Sequence, residues 1–172
     1  MHPEVRSFVE MIRCLRPEFF RDQRVLEIGA RNINGSVREL FHDCIFTGVD
    51  AVPGPNVDVV ALAHDFAPDA QFGTVFSTET LEHDPYWELS LAAMARFTAP
   101  GGLFFGTCAG PGRKPHGGQG KAYAKVAGPG GNYYRNLSES DILGAIPAEL
   151  FPTLTVGTIP RPAGTTWYGI RA

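Results

Sequence analysis

Residues 24–36 read Arg24-Val-Leu-Glu-Ile-Gly-Ala-Arg-Asn-Ile-Asn-Gly-Ser36, and the organisation of the whole chain turns on this stretch. Val25, Leu26 and Ile28 form a short apolar run that predicts a buried strand. Gly29 opens a loop that ends near Gly35; glycine takes turn conformations closed to other residues and leaves a ligand room beside the backbone. Ser36 is placed to cap a helix over about 36–41, where Val37, Leu40 and Phe41 fall at helical spacing. Strand, glycine loop and helix start together predict a nucleotide-type pocket at the carboxyl end of a parallel sheet. An ordinary strand–turn–helix junction reads the same way locally, so the flanking segments have to decide.

Upstream, Val5, Phe8, Val9, Ile12 and Leu15 give residues 4–16 an amphipathic helical pattern that Pro17 ends. Downstream, strands are expected at 45–50, 57–62, 72–77 and 103–108, with a helix over 87–97 that stops before Pro100. Ser138 caps a short helix that Pro147 ends. The last two strands, 154–159 and 166–170, lie too close for a crossover helix and must form an antiparallel hairpin. The expectation is a Rossmann-like α/β three-layer sandwich: seven strands, mostly parallel, closed by that hairpin.

Composition bounds the function. At 172 residues and 44% hydrophobic, the chain suits one globular domain, 1–172, with no apolar run long enough to span a membrane. The start, Met1-His-Pro-Glu-Val-Arg6, has no secretory layout, and three scattered cysteines (Cys14, Cys44, Cys108) suit a reducing, cytoplasmic setting. A net charge of -3 argues against wholesale nucleic-acid binding. Yet no Asp or Glu falls between Glu88 and Glu139, while Arg113, Lys114, Lys121, Lys125 and Arg135 all do. Residues 109–135 are also glycine-rich, as expected of a lid or substrate loop. The sequence sets no oligomeric state.

Asp50 ends the second strand about twenty positions after Gly29, the spacing at which a carboxylate accepts from ribose hydroxyls. Dinucleotide-binding and methyl-donor domains share that device. Three features separate them: Glu27 stands two residues before Gly29, Arg31 takes the place of the second glycine of G-x-G-x-x-G, and the chain closes with a hairpin.

From Arg24 to about residue 170 the chain resembles the class I S-adenosylmethionine-dependent methyltransferases. Val25-Leu-Glu-Ile-Gly29 is similar to their first motif, Gly48-Val-Asp50 to the second, Phe72–Glu79 to the fourth-strand motif, and Ala99-Pro-Gly-Gly-Leu103 to the turn into the fifth strand. The resemblance implies S-adenosylmethionine as cofactor and transfer of its methyl group to a hydroxyl or amine of a small-molecule or sugar-type acceptor. It implies that Glu27 and the Gly29-Ala30-Arg31 backbone face the donor's methionine part. Asp50, with Ala51 beside it, would hold the ribose, and Leu62-Ala63-His64 would flank the adenine. Thr78 and Glu79 would lie where the methyl group emerges. Arg31 in the first loop, Leu62 for an adenine-binding Asp and Gly73 for the usual Asp depart from the family pattern. They keep a non-catalytic binding or scaffold role open as an alternative.

Glu79, Glu82 and His83 form E-x-x-E-H. This resembles a subset, the ubiquinone-pathway O-methyltransferases and small-RNA 2′-O-methyltransferases, in which such a turn ligates a divalent metal, with His116 as a fourth ligand. Metal-assisted RNA methylation is therefore a second alternative. The same turn occurs in metal-free relatives, and a motif this short recurs by chance, so the reading commits to no metal. His83 is also placed to act as a base toward the acceptor. His116, Tyr133, Tyr134 and Arg135 are the expected acceptor-binding residues, suited by charge and stacking to an anionic metabolite.

Overall fold

The computed structural model describes residues 2–116 and 133–172. The elements positioning the site are α1 (Pro3–Leu15), β1 (Arg24–Ile28), β2 (Ile45–Asp50), β3 (Val59–Val60), β4 (Phe72–Thr78), α2 (Trp87–Phe97), β5 (Thr98–Ala109), α3 (Glu139–Ala145), β6 (Thr155–Pro160) and β7 (Ala163–Ile170). They build a seven-stranded sheet in the order β3-β2-β1-β4-β5-β7-β6. Strands β1 to β5 pair in parallel, and β7 runs antiparallel to both β5 and β6. The closing hairpin is as expected from its short connection.

The period of two along each strand sorts the core onto two faces. Leu26, Val75 and Phe104 point to the face covered by α2 and α3, where Leu91, Met94, Ile142 and Trp167 complete one cluster. Val25, Phe76 and Phe105 point to the other, beneath α1 through Val9 and Ile12. Phe20, Phe41, Phe76 and Phe105 stack across that second face at centroid spacings of 4.4, 5.6 and 5.1 Å in succession. Glu27 shares the parity of Val25, so its carboxylate is also driven to the α1 face.

Two expectations need correction. The helix over 36–41 is only a 3-10 turn at Arg38–Leu40. Ser36 Oγ accepts from the Arg38 amide two residues on, a local turn that competes with helix capping, and the chain must enter β2 by Ile45. The strand over 57–62 shrinks to Val59–Val60. Asp58 Oδ2 accepts from the Gly48 amide at 2.7 Å, so a side chain takes the place of a ladder carbonyl and pairing begins one residue later. By contrast α3 carries the expected cap, with Ser138 and Asp141 each satisfying the other's backbone amide.

Candidate functional site

The chain runs from β1 outward through β2 to β3, then returns to the far side of β1 as β4, and ligands bind at such reversals in open α/β sheets. Here the carboxyl ends of β1, β2 and β4 surround a cavity of about 430 Å³, within the range for nucleoside-sized ligands. Its walls include Glu27, the loop from Gly29 to Ser36, Asp50–Val52, Ala61–Ala63 and Thr78–Thr80.

Glu27 forms the inner wall. Its Oε2 accepts from Arg38 Nε at 2.6 Å, and Arg38 Nη2 also donates to the Asn56 carbonyl at 2.8 Å. Burial pushes the Glu27 pKa up to about 7, and the Arg38 contact offsets only part of that. Gly48 makes the arrangement fit: a Cβ there would overlap the Asn56 carbonyl and crowd the Arg38 guanidinium. Asp50 lines the cavity at the end of β2. Its Oδ2 accepts from the Arg31 amide at 3.1 Å and its Oδ1 from the Val52 amide at 2.9 Å. Burial raises its pKa, and those two amides oppose the shift. Each oxygen has a second lone pair, so the carboxylate keeps acceptor capacity toward the cavity.

Gly29 has φ +75 and donates to the Val49 carbonyl at 2.8 Å. The space beside its Cα is filled by Thr80, whose side chain a Cβ would overlap. The glycine thus serves close packing of the turn after β4, where the sequence suggested ligand approach.

That turn is pulled inward by Leu81, which is fully buried and brings Glu82 with it. Asp84 then accepts from the Tyr86 amide and the Ser90 hydroxyl, anchoring the start of α2. Glu79, at φ +54, is held by Arg113 at 2.7 Å and by the Thr107 hydroxyl at 3.2 Å. Glu82 is 0% exposed, and neither carboxylate oxygen has a hydrogen-bond partner among the described residues. Burial and then the Glu79 charge raise its pKa; nearby backbone amides and Arg113 offset little of this. His83 and His116 lie edge to face at 5.4 Å, with Tyr134 against both at 5.4 and 5.2 Å. Burial, then the His116 and Arg113 charges, depress the His83 pKa to about 4. Such a ring is neutral at ordinary pH but a weak proton acceptor.

Compared by sequence, the chain matches no family model and no curated protein. Compared by structure, it superposes over its length on several solved proteins. The 1,6-didemethyltoxoflavin-N1-methyltransferase of Burkholderia thailandensis, solved with 1,6-didemethyltoxoflavin and S-adenosylhomocysteine, gives a TM-score of 0.64 at 18% identity, covering 99% of this chain and 77% of that one. The N-methyltransferase NodS of Bradyrhizobium japonicum, with S-adenosylhomocysteine, gives 0.60 at 13% identity, over 96% and 85%. The N-terminal domain of EvdMO1, in the presence of S-adenosylhomocysteine and D-fucose, gives 0.63 at 14% identity, over 99% and 84%. The fold is that of the class I S-adenosylmethionine-dependent methyltransferases.

Within this methyltransferase fold, the cavity gathers most residues expected at the donor site: Glu27, Gly29, Ala30, Arg31, Asp50, Ala51, Leu62, Ala63 and Thr78. Glu79, His83 and His116 join them in its lining. His64 does not line it; its ring packs on Tyr86 at 4.9 Å. Tyr134 is not part of its wall but packs on the His83 and His116 rings, and Tyr133 and Arg135 are not part of its wall either. Tyr133 and Arg135 border a separate surface hollow, where Arg135 lies over Trp87 and pairs with Asp141. Lys121 and Lys125 lie outside the described residues. Sequence reasoning did not anticipate Arg38, Thr80, Ile33 or His2 at or behind the walls. Arg38 had a signal available, because an acid inside a buried strand calls for a cation nearby.

Proposed function

We propose that the protein is an S-adenosylmethionine-dependent methyltransferase acting on a hydroxyl or amine of a small-molecule or sugar-type acceptor. The observation that carries this reading is Asp50: a carboxylate anchored by two backbone amides at the end of β2, with acceptor capacity left over and a nucleoside-sized cavity in front of it. Asp50 would hold the ribose hydroxyls. Glu27 and the Gly29–Arg31 backbone would hold the methionine end, and Ala61–Ala63 would cover the adenine with apolar and backbone groups. When bound, the cofactor supplies a methyl group made electrophilic by its sulfonium.

The chain's contribution to such an in-line displacement is chiefly positioning, which can account for several orders of magnitude in rate. His83 and His116 line the cavity with Tyr134 packed against both rings, and an acceptor would be placed beside them. Structural neighbours solved with bound 1,6-didemethyltoxoflavin or in the presence of D-fucose support a small-molecule acceptor.

Calorimetry with S-adenosylmethionine and S-adenosylhomocysteine tests the reading, followed by an acceptor screen with labelled donor. Binding of both, with label transfer to a small molecule, is expected. Binding without transfer to any acceptor class would favour a scaffold role; binding of neither removes methyl transfer altogether.

A further inference from the structure

We propose that Asp84 reads the 6-amino group of the donor's adenine, and so selects an adenine nucleoside over its 6-oxo counterpart. The inference deepens the methyl-transfer reading and rests on it, because it takes the adenine to lie against Ala61–Ala63. The cavity wall carries the carboxylates of Glu27, Asp50, Glu79 and Asp84. Three of them are accounted for: Glu27 pairs with Arg38 at the inner wall, Asp50 stands at the end of β2 for the ribose, and Glu79 is held by Arg113 and Thr107. Asp84 is the one without a role toward a ligand.

Its place in the fold sets it beside the adenine wall. The His64 ring packs on Tyr86 at 4.9 Å, which holds the turn after β3 against the turn leading into α2. Asp84 stands two residues before Tyr86 and is only 9% exposed. Its Oδ1 accepts from the Tyr86 amide at 2.8 Å and its Oδ2 from the Ser90 hydroxyl at 2.5 Å. The carboxylate is thus fixed in position, and each oxygen retains a lone pair.

The adenine wall itself is poor in acceptors. The side chains of Ala61, Leu62 and Ala63 are apolar, and the Leu62 carbonyl accepts from the Asp65 and Phe66 amides, both at 3.1 Å, which occupies its two lone pairs. Asp65 is turned to His64 at 3.8 Å and does not line the cavity. A 6-amino group brings two N–H donors into this place, and a buried donor left without a partner is costly. Asp84 is the fixed acceptor within the same wall. A 6-oxo group would set lone pairs against its oxygens instead, and a site built to accept an N–H rejects an analogue that lacks it.

Calorimetry on the full chain compares S-adenosylhomocysteine with S-inosylhomocysteine, its 6-oxo counterpart. The wild type should prefer the amino form by about tenfold or more, the worth of a hydrogen bond to a charged group. In Asp84→Asn the preference should fall toward parity. An amide accepts from an amino group or donates to an oxo group, and it can still meet the Tyr86 amide and the Ser90 hydroxyl. Ser90→Ala removes an anchor outside the cavity wall and should weaken both nucleosides alike, leaving their ratio near that of the wild type. The ratio is the readout because a merely structural role would not move it. Equal binding of the two nucleosides by the wild type overturns the proposal without any variant, and so does a preference that survives in a folded Asp84→Asn protein. Either result, with S-adenosylhomocysteine still bound, keeps the methyl-transfer reading; binding of neither nucleoside rejects both.

Discussion

Arg38 Nε lies 2.6 Å from Glu27 Oε2, an ion pair between the 3-10 turn and β1 that closes the inner wall of the cavity. The guanidinium also covers the Phe46 ring at 4.5 Å and holds the Asn56 carbonyl, so it ties β1, β2 and the following loop together. Arg38→Ala leaves the Glu27 carboxylate, 7% exposed, without its partner. Breaking a buried pair on one side costs about 3–5 kcal/mol; partial solvent access to Arg38 brings the expectation to about 2–4 kcal/mol. Urea denaturation measures it. Glu27→Gln combined with Arg38→Met should recover most of the loss, since no charge is then stranded. A double variant as unstable as Arg38→Ala would show that the lost contacts, not the stranded charge, dominate.

Glu27 also sets a pH dependence. Its folded pKa is about 7 against an ordinary 4.5, so the folded state binds the proton more tightly than the unfolded chain. The stability this gives is fully present below about pH 4.5 and is lost as pH rises toward 7, then stays level. A shift of that size corresponds to about 3 kcal/mol. Denaturation of the wild type and of Glu27→Gln at matched pH values isolates it. The wild type should lose stability relative to the variant between pH 4.5 and 7. A constant difference would mean that Arg38 holds the carboxylate ionised throughout.

These effects centre on a residue pair that the sequence showed only by half. The first strand was legible as the apolar run of Val25, Leu26 and Ile28, which the structure buries in β1. The closing hairpin was legible because the stretch between residues 159 and 166 cannot hold a crossover. The partner of Glu27 was not, because Arg38 reaches it only after the expected helix gives way to a single 3-10 turn, and that outcome depends on Ser36 bonding locally. Likewise Glu79, Glu82, His83 and His116 were visible as residue types. That Arg113 withdraws Glu79 from the others depends on β4, β5 and the following loop meeting in space. Tyr133 and Arg135 line a hollow beside Trp87 instead of the cavity, and nothing in the order Tyr133-Tyr134-Arg135 tells in advance which way each side chain faces.

Gly29 and Thr80 form an interlock open to a double-variant test. Gly29→Ala meets two obstacles, a φ of +75 and the Thr80 side chain. The backbone term is about 1 kcal/mol and overpacking adds about 1–3 kcal/mol. Adding Thr80→Ala should recover the overpacking part and leave the backbone part. Full recovery of stability in the double variant would show that φ at this position is relaxed without effect. No recovery would place the obstacle elsewhere in the turn.

Asp50 offers the sharpest test of the donor site, because its two roles separate by substitution. Its oxygens accept from the Arg31 and Val52 amides, which shape the loop, and they retain lone pairs toward the cavity. Asp50→Asn keeps one carbonyl oxygen for a loop amide but replaces the other acceptor with a donor, which cannot receive a ribose hydroxyl's proton. Loss of hydrogen bonds to a charged group costs about 1.5–3 kcal/mol, or about 10- to 150-fold in affinity for S-adenosylhomocysteine by calorimetry. Thermal stability should fall less for Asp50→Asn than for Asp50→Ala, since Asn still supports part of the loop. Near-equal, large losses of affinity in both variants, with only Asp50→Ala unstable, would separate ligand contact from loop support. A folded Asp50→Asn protein that binds the nucleoside as tightly as the wild type would remove Asp50 from the donor site, and with it the observation on which the methyl-transfer reading stands.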